Sequence, residues 1–525
     1  MKKLQPILTD SSDFPELRKK GCVYVDKTAY FHDLITRQET QRFFLSRPRR
    51  FGKSLMISTL EAIFQGRKEL FDGLAISKTD WTWEKYPVIH FNFINAAAST
   101  VEEFRQLFLL EVKKGISEAG GTFDAQYSAT GNFVVAIDEL CAKNDGNGVV
   151  ILIDEYDAPV ARLLDKPDDA ELVRGLLTDF YNQMKDRTGR IRFLMITGVS
   201  KFTKMSVFSA LSNLTDISMK DAYATMLGYT EAELDRYFDD HIRAHAKMMK
   251  KPYDEYRAEL KVWFNGYRFG KGDVETVYNP VSIGVNLAFP EVTFQSCWSS
   301  TGKASMLMNY LKRKEFLSVD MDGVKKVRER DFDVTDLRNL KTIPMLYQAG
   351  YLTIDKFDGS TGMFSLRVPD GEVRRDLAIL TTAVAAGQDT SWVSALGKKL
   401  LRAKWDEFFT GLKSLYASLP YGAKEKSVHE FSFERNLLIL LWSQGMRCTA
   451  EDRQSNGQAD IVAVHPCGVF IFELKVDESA EEALEQVKKK GYEEPYRSRN
   501  LPIWLIGLNF SRKTRRLKDA KVEKL

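Results

Sequence analysis

The chain has 525 residues, 44% hydrophobic and 28% charged; these ordinary globular proportions exclude a fibrous repeat and wholesale disorder, and the length suggests about three domains. A formal net charge of +4 excludes histone-like coating of nucleic acid but allows local basic patches. Five scattered cysteines without a C-x-x-C spacing argue against a disulfide framework or a thiolate zinc site and suit a reducing cytosol.

The N-terminal MKKLQPILTDSSDFPELRKK lacks the apolar run of a secretory signal. Nowhere do eighteen apolar residues run together, so a cytoplasmic chain without a membrane span is expected. The first third alternates short β-rich runs with helical stretches. The runs are Gln41–Ser46, Pro87–Phe93, Val149–Asp154 and Arg192–Thr197. Residues Val101–Gly120 carry apolar residues at helical spacing. This alternation predicts a parallel α/β sheet.

Thr230 and Glu233 form a capping-box pattern opening a helix over Glu231–Lys250. Residues 230 to about 315 look mostly helical, with turns predicted at Trp263–Gly272 and Val277–Pro280. Thr342–Val368 begins with a helix; YLTI and FSLRV then flank DGSTG as a hairpin, suggesting a winged-helix-like module. Residues 371–425 are expected to be a helical connector. The last hundred residues restart the α/β pattern: helix Phe433–Gln444, strands Asp460–His465 and Val469–Lys475, helix Glu478–Lys490 and strand Leu501–Gly507. Ser511–Leu525 carries seven Lys/Arg against two acids; it is expected to be a solvated end, with a nucleic-acid contact as the alternative.

Two stretches carry chemistry. SRPRRFGKSLMISTL follows a predicted strand and opens a predicted helix. Gly52-Lys53-Ser54 completes a Walker A pattern whose first glycine would fall at Arg47. The candidate nucleotide loop comprises Arg49, Arg50, Phe51, Gly52, Lys53, Ser54 and Leu55. Such a loop turns backbone N–H groups toward phosphates at a helix N-terminus. Lys53 would sit on the β- and γ-phosphates and Ser54 on Mg²⁺. VVILIDEYD ends in Asp154-Glu155, a Walker B pattern: Asp154 for the Mg²⁺ shell, Glu155 to polarise the attacking water. RFLMITGVSKF ends in Thr197 and Ser200, candidate sensors of the γ-phosphate. All lie at strand C-terminal ends, where open α/β sheets bind ligands. The plainer alternatives are a turn at Gly52–Ser54, a helix cap at Asp154-Glu155, Thr197 or Ser200, and surface duty for Arg49, Arg50 and Arg268.

The second stretch is GQADIVAVHPCGVFIFELK. Asp460 opens one strand; Glu473 and Lys475 end the next, two apart and on one face. Two carboxylates make a hard oxygen site for Mg²⁺, and the lysine can orient a water for phosphodiester hydrolysis. Glu434, early in the preceding helix, would complete the shell. Gln486 and Tyr492 would touch substrate or orient the lysine. The alternatives are a surface salt bridge for Glu473 and Lys475 and a helix-dipole role for Glu434.

With these residues the chain resembles a bacterial family of AAA-ATPase-like proteins with a C-terminal PD-(D/E)XK nuclease domain. The resemblance rests on YVDKT, RPRRFGKS, IDEYDAP, ITGVSKF, LGYTEAEL, NGYRFG, VYNP, W-x-x-T-G (Trp298–Gly302), FERNLLILLWSQG, ADIVA and IFELK. It implies an additional-strand P-loop ATPase over residues 1–228. A helical lid with a winged-helix-like part would follow over 229–370, the connector over 371–425, and a restriction-endonuclease-like domain over 426–525. It also implies ATP and Mg²⁺ as cofactors. An ATP-coupled nuclease acting on DNA or RNA, in defence or mobile-element conflict, is the expected function. A nucleotide switch or scaffold that binds nucleic acid without cutting is the alternative; a metabolic kinase lacks an acceptor motif. Because many such ATPases complete their site with a neighbour's arginine, a homo-oligomer is expected.

Overall fold

The computed structural model describes residues 4–200, 214–289, 294, 296–297, 324–332, 337–338, 341–418, 430–454 and 457–525. The Trp298–Gly302 motif, the helical stretch between 298 and 315, and connector residues 419–425 lie outside these. Two compact units emerge, Met1–Gln295 with Asp322–Asp370, and Ser296–Met321 with Gly371–Leu525. The chain is mixed α/β throughout.

The first unit starts with α1 (Phe14–Lys19) and α2 (Thr28–Thr36), then β1 (Arg42–Ser46) and α3 (Lys53–Phe64). Next come β2 (Val88–Asn92), α4 (Val101–Glu118), α5 (Ala129–Lys143) and β3 (Val149–Asp154). α6 (Ala158–Arg162), α7 (Pro167–Asn182), β4 (Ile191–Gly198) and β5 (Thr215–Asp216) complete the series. The strands pair in parallel in the order β2-β3-β4-β1-β5. β4 therefore lies between β1 and β3, which is the additional-strand arrangement. All six residues of β3 are buried, as a strand covered on both faces requires. The four predicted strands form within two residues of their expected bounds.

α8 (Glu231–Met248) opens on the Thr230–Glu233 capping box, with both reciprocal bonds made. α9 (Tyr253–Phe264) and α10 (Pro280–Ala288) pack with it around Leu234, Phe238, Leu260 and Ile283, a core that also takes Val23 and Val25. The segments expected as plain turns differ. β6 (Asn265–Tyr267) pairs antiparallel with β7 (Val277–Tyr278), because Tyr267 and Tyr278 bury their rings. β8 (Val324–Arg328), α11 (Thr342–Gln348), β9 (Thr353–Asp358) and β10 (Met363–Arg367) follow. The predicted hairpin is present, and β8 joins it in the antiparallel order β8-β10-β9.

The second unit begins with α12 (Gly371–Ala386), α13 (Thr390–Leu401), α14 (Trp405–Ser418) and α15 (Glu430–Ser443). β11 (Arg447–Gln454), β12 (Gly457–His465), β13 (Gly468–Val476), α16 (Ala480–Lys490), β14 (Ile503–Phe510) and β15 (Leu517–Lys524) form the rest. The sheet runs β11 to β15 in order, antiparallel except for the parallel β13–β14 pair. α12 to α15 share one core with Phe470, Phe472, Leu474 and Ile506. The helices expected as a connector are thus packed into the body of this unit. Leu484, Val487 and Tyr492 cover the opposite face over Val462, Ile471 and Leu505. The basic end expected to be solvated is largely exposed, but Leu517–Lys524 is ordered as strand β15: Leu517 is buried, and β14 supplies the ladder partner.

Candidate functional site

In the first unit, β1 and α3 flank the basic loop. Gly52 precedes the helix at φ +85°, a left-handed conformation glycine adopts at little cost, and no side chain caps the helix start. The first N–H groups of α3 thus lack a side-chain acceptor, the arrangement that receives anions. Lys53 is 4% exposed. Its ammonium donates to the carbonyls of Arg47 and Pro48, each at 3.2 Å, and lies 3.6 Å from Glu155. Ser54 Oγ donates to Asp154 at 2.6 Å. Residues a hundred positions apart therefore meet at the ends of β1 and β3. Glu155 holds φ +51°. Burial pushes its carboxyl above the usual range, Lys53 pulls it down, and Asp157 and Asp154 push it up.

Thr197 Oγ1, at the end of β4, is buried and has no hydrogen-bond partner among the described residues. Ser200 behaves differently. Its backbone N–H and hydroxyl both donate to Asp157, at 2.9 and 2.5 Å, and Val199 N donates to the same carboxylate. Asp157 was not singled out from sequence; its place two residues after Glu155 in IDEYDAP was the available signal. Arg49 and Arg50 are half-exposed, and Arg50 takes φ +67°.

Arg47 stands where the Walker A pattern has its first glycine. It is 1% exposed. Its guanidinium donates to the carbonyls of Ser218 at 2.6 Å and Tyr223 at 3.1 Å, and lies 4.1 Å from the centre of the Phe269 ring. Burial pulls its pKa down to about 10. Arg268 donates to the carbonyl of Asp355 at 3.2 Å and also to that of Gly272. Phe51 packs edge-on against Tyr267 and Phe269. Phe51, Gly52 and Leu55 line a mainly apolar cavity of about 150 Å³, together with Val25, Phe31 and Leu227.

In the second unit, the strand register assembles the site. Ile461 opposes Phe472, so the next pair is Asp460 opposite Glu473. Asp460 is thus the fourth residue of β12 rather than its first. Leu474 N donates to Asp460 at 2.7 Å. Glu473 is 2% exposed; it accepts from Gln486 Nε2 and lies 3.7 Å from Lys475 Nζ. Gln486 comes from α16. That helix can approach because Gly507, opposite Glu473 on β14, leaves room: a Cβ there would stand 2.2 Å from the Ala480 carbonyl oxygen.

Burial pushes the Asp460 carboxyl up; the Leu474 N–H and Lys475 oppose this, and Glu451 adds to it. The register sets Glu451 opposite Asp460 on β11, a neighbour not anticipated from sequence. Glu434 is buried in α15, next to Phe433, whose ring stacks on Phe510. Tyr492 is 1% exposed and belongs to the apolar core over α16's side of the sheet.

Both sites offer oxygen donors suited to a hard divalent cation: Ser54 with Asp154, and Asp460 with Glu473. Among the described residues no three His, Cys, Asp or Glu side chains form a metal cage. No helix among them is long and apolar enough to cross a membrane.

A family model described as predicted AAA-ATPase matches residues 10–208, and one described as PD-(D/E)XK nuclease superfamily matches 429–520. A protein of Azotobacter chroococcum mcd 1, described as "Uncharacterized protein in vnfD 5'region", is 32% identical over 520 residues. That alignment covers 96% of this chain and 95% of the relative. No solved structure matches the chain.

Proposed function

The chain belongs to the AAA-ATPase-like family with a PD-(D/E)XK nuclease-superfamily domain, and from that premise we propose an ATP-gated, Mg²⁺-dependent nuclease. The observation that carries the proposal is the convergence of Asp460, Glu473, Lys475 and Gln486 in one unit of a chain whose other unit brings Lys53, Ser54, Asp154 and Glu155 together. ATP would place its phosphates on the α3 N-terminus and Lys53, and its base in the adjoining apolar cavity. Mg²⁺ would join Ser54 and Asp154. Glu155 would orient the attacking water, and Thr197 would offer its hydroxyl to the γ-phosphate. Ser200, bound to Asp157, would hold the loop after β4 in place. We assign Arg49 and Arg50 to phosphate contact.

In the second unit, Asp460 and Glu473 would hold a divalent cation, with Glu434 completing its surroundings. The bound cation supplies Lewis acidity and a more acidic water. Lys475 would orient that water and Gln486 would hold Glu473. The substrate class is DNA or RNA. Residues 229–370 would act as a lid over the nucleotide, in a homo-oligomer located in the cytosol. Defence or mobile-element conflict is the proposed setting.

The second reading is a nucleotide switch or scaffold whose nuclease-like domain binds nucleic acid without cutting it. Cleavage of labelled single- and double-stranded DNA and RNA with Mg²⁺ or Mn²⁺, with and without ATP, separates the two. The proposal expects cleavage that Lys475→Ala abolishes and that ATP alters only when Lys53 is intact. ATP turnover without cleavage of any substrate would favour the switch.

A further inference from the structure

The basic end of the chain divides into two parts. Along β15, Lys518 pairs with Asp477 at 3.2 Å and Lys521 with Glu481 at 3.3 Å, and Lys524 lies over the Trp504 ring. Before β15 stands a compact turn, Ser511–Arg516, of sequence SRKTRR. Three bonds close it: Ser511 N to the Arg516 carbonyl at 2.9 Å, Arg515 N to the Ser511 carbonyl at 2.8 Å, and Thr514 N to Ser511 Oγ at 3.1 Å. Arg512, Lys513 and Arg516 are exposed, and among the described residues no ion pair within 4 Å engages their side chains.

Topology puts this turn beside the carboxylate site. β14 runs parallel to β13, with Lys475 opposite Asn509 and Val476 opposite Phe510. Both strands therefore end together, about 4.8 Å apart. Asp477 N donates to the Phe510 carbonyl at 2.8 Å, and Arg512 N donates to Asp477 Oδ1 at 3.3 Å. The acid at the foot of the turn is thus committed to a backbone N–H and to Lys518. What remains is a basic turn on the neighbouring strand, four residues beyond Gly507, which lies opposite Glu473.

We propose that the Ser511–Arg516 turn grips the phosphodiester backbone of a nucleic-acid strand and sets it against Asp460 and Glu473. The inference rests on the nuclease reading for its destination and adds the surface that delivers the substrate. The carboxylate pair alone repels a polyanion; nearby cations offset that repulsion. Exposed arginines and lysines on an ordered backbone supply such contacts, which position the strand without reading its sequence. An anionic membrane offers similar charge, but the adjoining two-carboxylate site favours a phosphodiester.

The test uses the full chain with Asp460→Asn, so that bound strands persist. Binding of labelled DNA and RNA oligonucleotides is measured across salt. The variant Arg512→Gln/Lys513→Gln/Arg516→Gln is expected to bind about tenfold or more weakly. The slope of log affinity against log salt should fall by about 2 to 3. Arg512→Lys/Arg516→Lys should retain the slope, and Lys518→Gln/Lys521→Gln should change it far less than the triple variant. Thermal unfolding and ATP turnover check that the variants are folded.

An unchanged slope in the triple variant overturns the proposal while leaving the nuclease reading intact. An equal loss in Lys518→Gln/Lys521→Gln overturns it too, since net charge would then be the cause. Loss of binding only to phosphatidylserine vesicles also overturns it. If wild type cuts nothing but the slope falls as expected, the contact stands and the nuclease reading fails. If the chain binds no nucleic acid with or without ATP, both fail.

Discussion

The two sites bury charge with different partners. In the first unit Lys53, nearly sealed from solvent, sits among two carbonyls and Glu155. Ser54 is likewise bonded to Asp154. In the second unit Lys475 lies 3.7 Å from Glu473 and acts on Asp460, while Glu451 adds further negative charge and burial pushes the Asp460 carboxyl up. Both sites set several carboxylates against a lysine, but in the first Lys53 and Ser54 also hold partners that phosphates and a cation would compete for. In the second, burial and Glu451 both act against the ionised Asp460, which a cation would relieve. Nucleotide should therefore rearrange the first site, whereas divalent metal should stabilise the second.

The sharpest way to break this comparison is at the carboxylates. Glu473→Gln should lower cleavage about 1000-fold, the scale of losing metal charge stabilisation, while ATP turnover stays near wild type. Parallel assays of both activities check this, and a joint loss would mean the sites are not separable. Next in size, Glu155→Gln should cut ATP hydrolysis about 100-fold with nucleotide binding retained. It should also stabilise the fold near neutral pH. A carboxyl raised by burial makes its unfavourable contribution as pH rises above its unfolded value and through its folded value; below both, the penalty is absent. The gain in melting temperature should therefore shrink on acidification. Equal melting curves at all pH values would remove burial as the cause.

Gln486→Ala should weaken divalent-metal affinity about 10- to 100-fold, as loss of a group orienting a ligand does. The rise in melting temperature on adding Mg²⁺ reports it. That rise should also fade as pH drops and protons compete at Asp460. Gly507→Ala should cost about 1–3 kcal/mol in the second unit through overpacking against Ala480, seen in denaturant unfolding, with nucleotide binding spared. The smallest effect belongs to Ser200→Ala. Losing the bond to Asp157 should cost about 1 kcal/mol of stability and change ATP turnover by less than about twofold. A larger kinetic loss would return Ser200 to the phosphate.

Sequence made the contiguous features legible. The apolar strands before Asp154 and Thr197, the Thr230–Glu233 capping box and the hairpin around Pro466-Cys467 each depend on neighbours in the chain. Glu473 and Lys475 were readable because two-residue spacing alone sets their shared face. What escaped depends on distant partners. The burial of Arg47 was not legible, since its partners Ser218, Tyr223 and Phe269 lie far along the chain. Glu451 gained meaning only through the β11–β12 register. β15 was hidden because LKDAKVEK is mostly charged and buries little besides Leu517. The helices after Gly371 looked like a connector because an amphipathic pattern does not say which core it joins.

The anchored Arg47 has a calorimetric consequence. A loop that must order around its ligand spends part of the binding free energy on lost chain freedom. Here Arg47 has already fixed the start of the loop during folding, through two distant carbonyls and an aromatic face. The ordering cost is met before nucleotide arrives. Binding should therefore carry a smaller entropic penalty than in Arg47→Ala, where the same phosphates would have to restrain a slack loop.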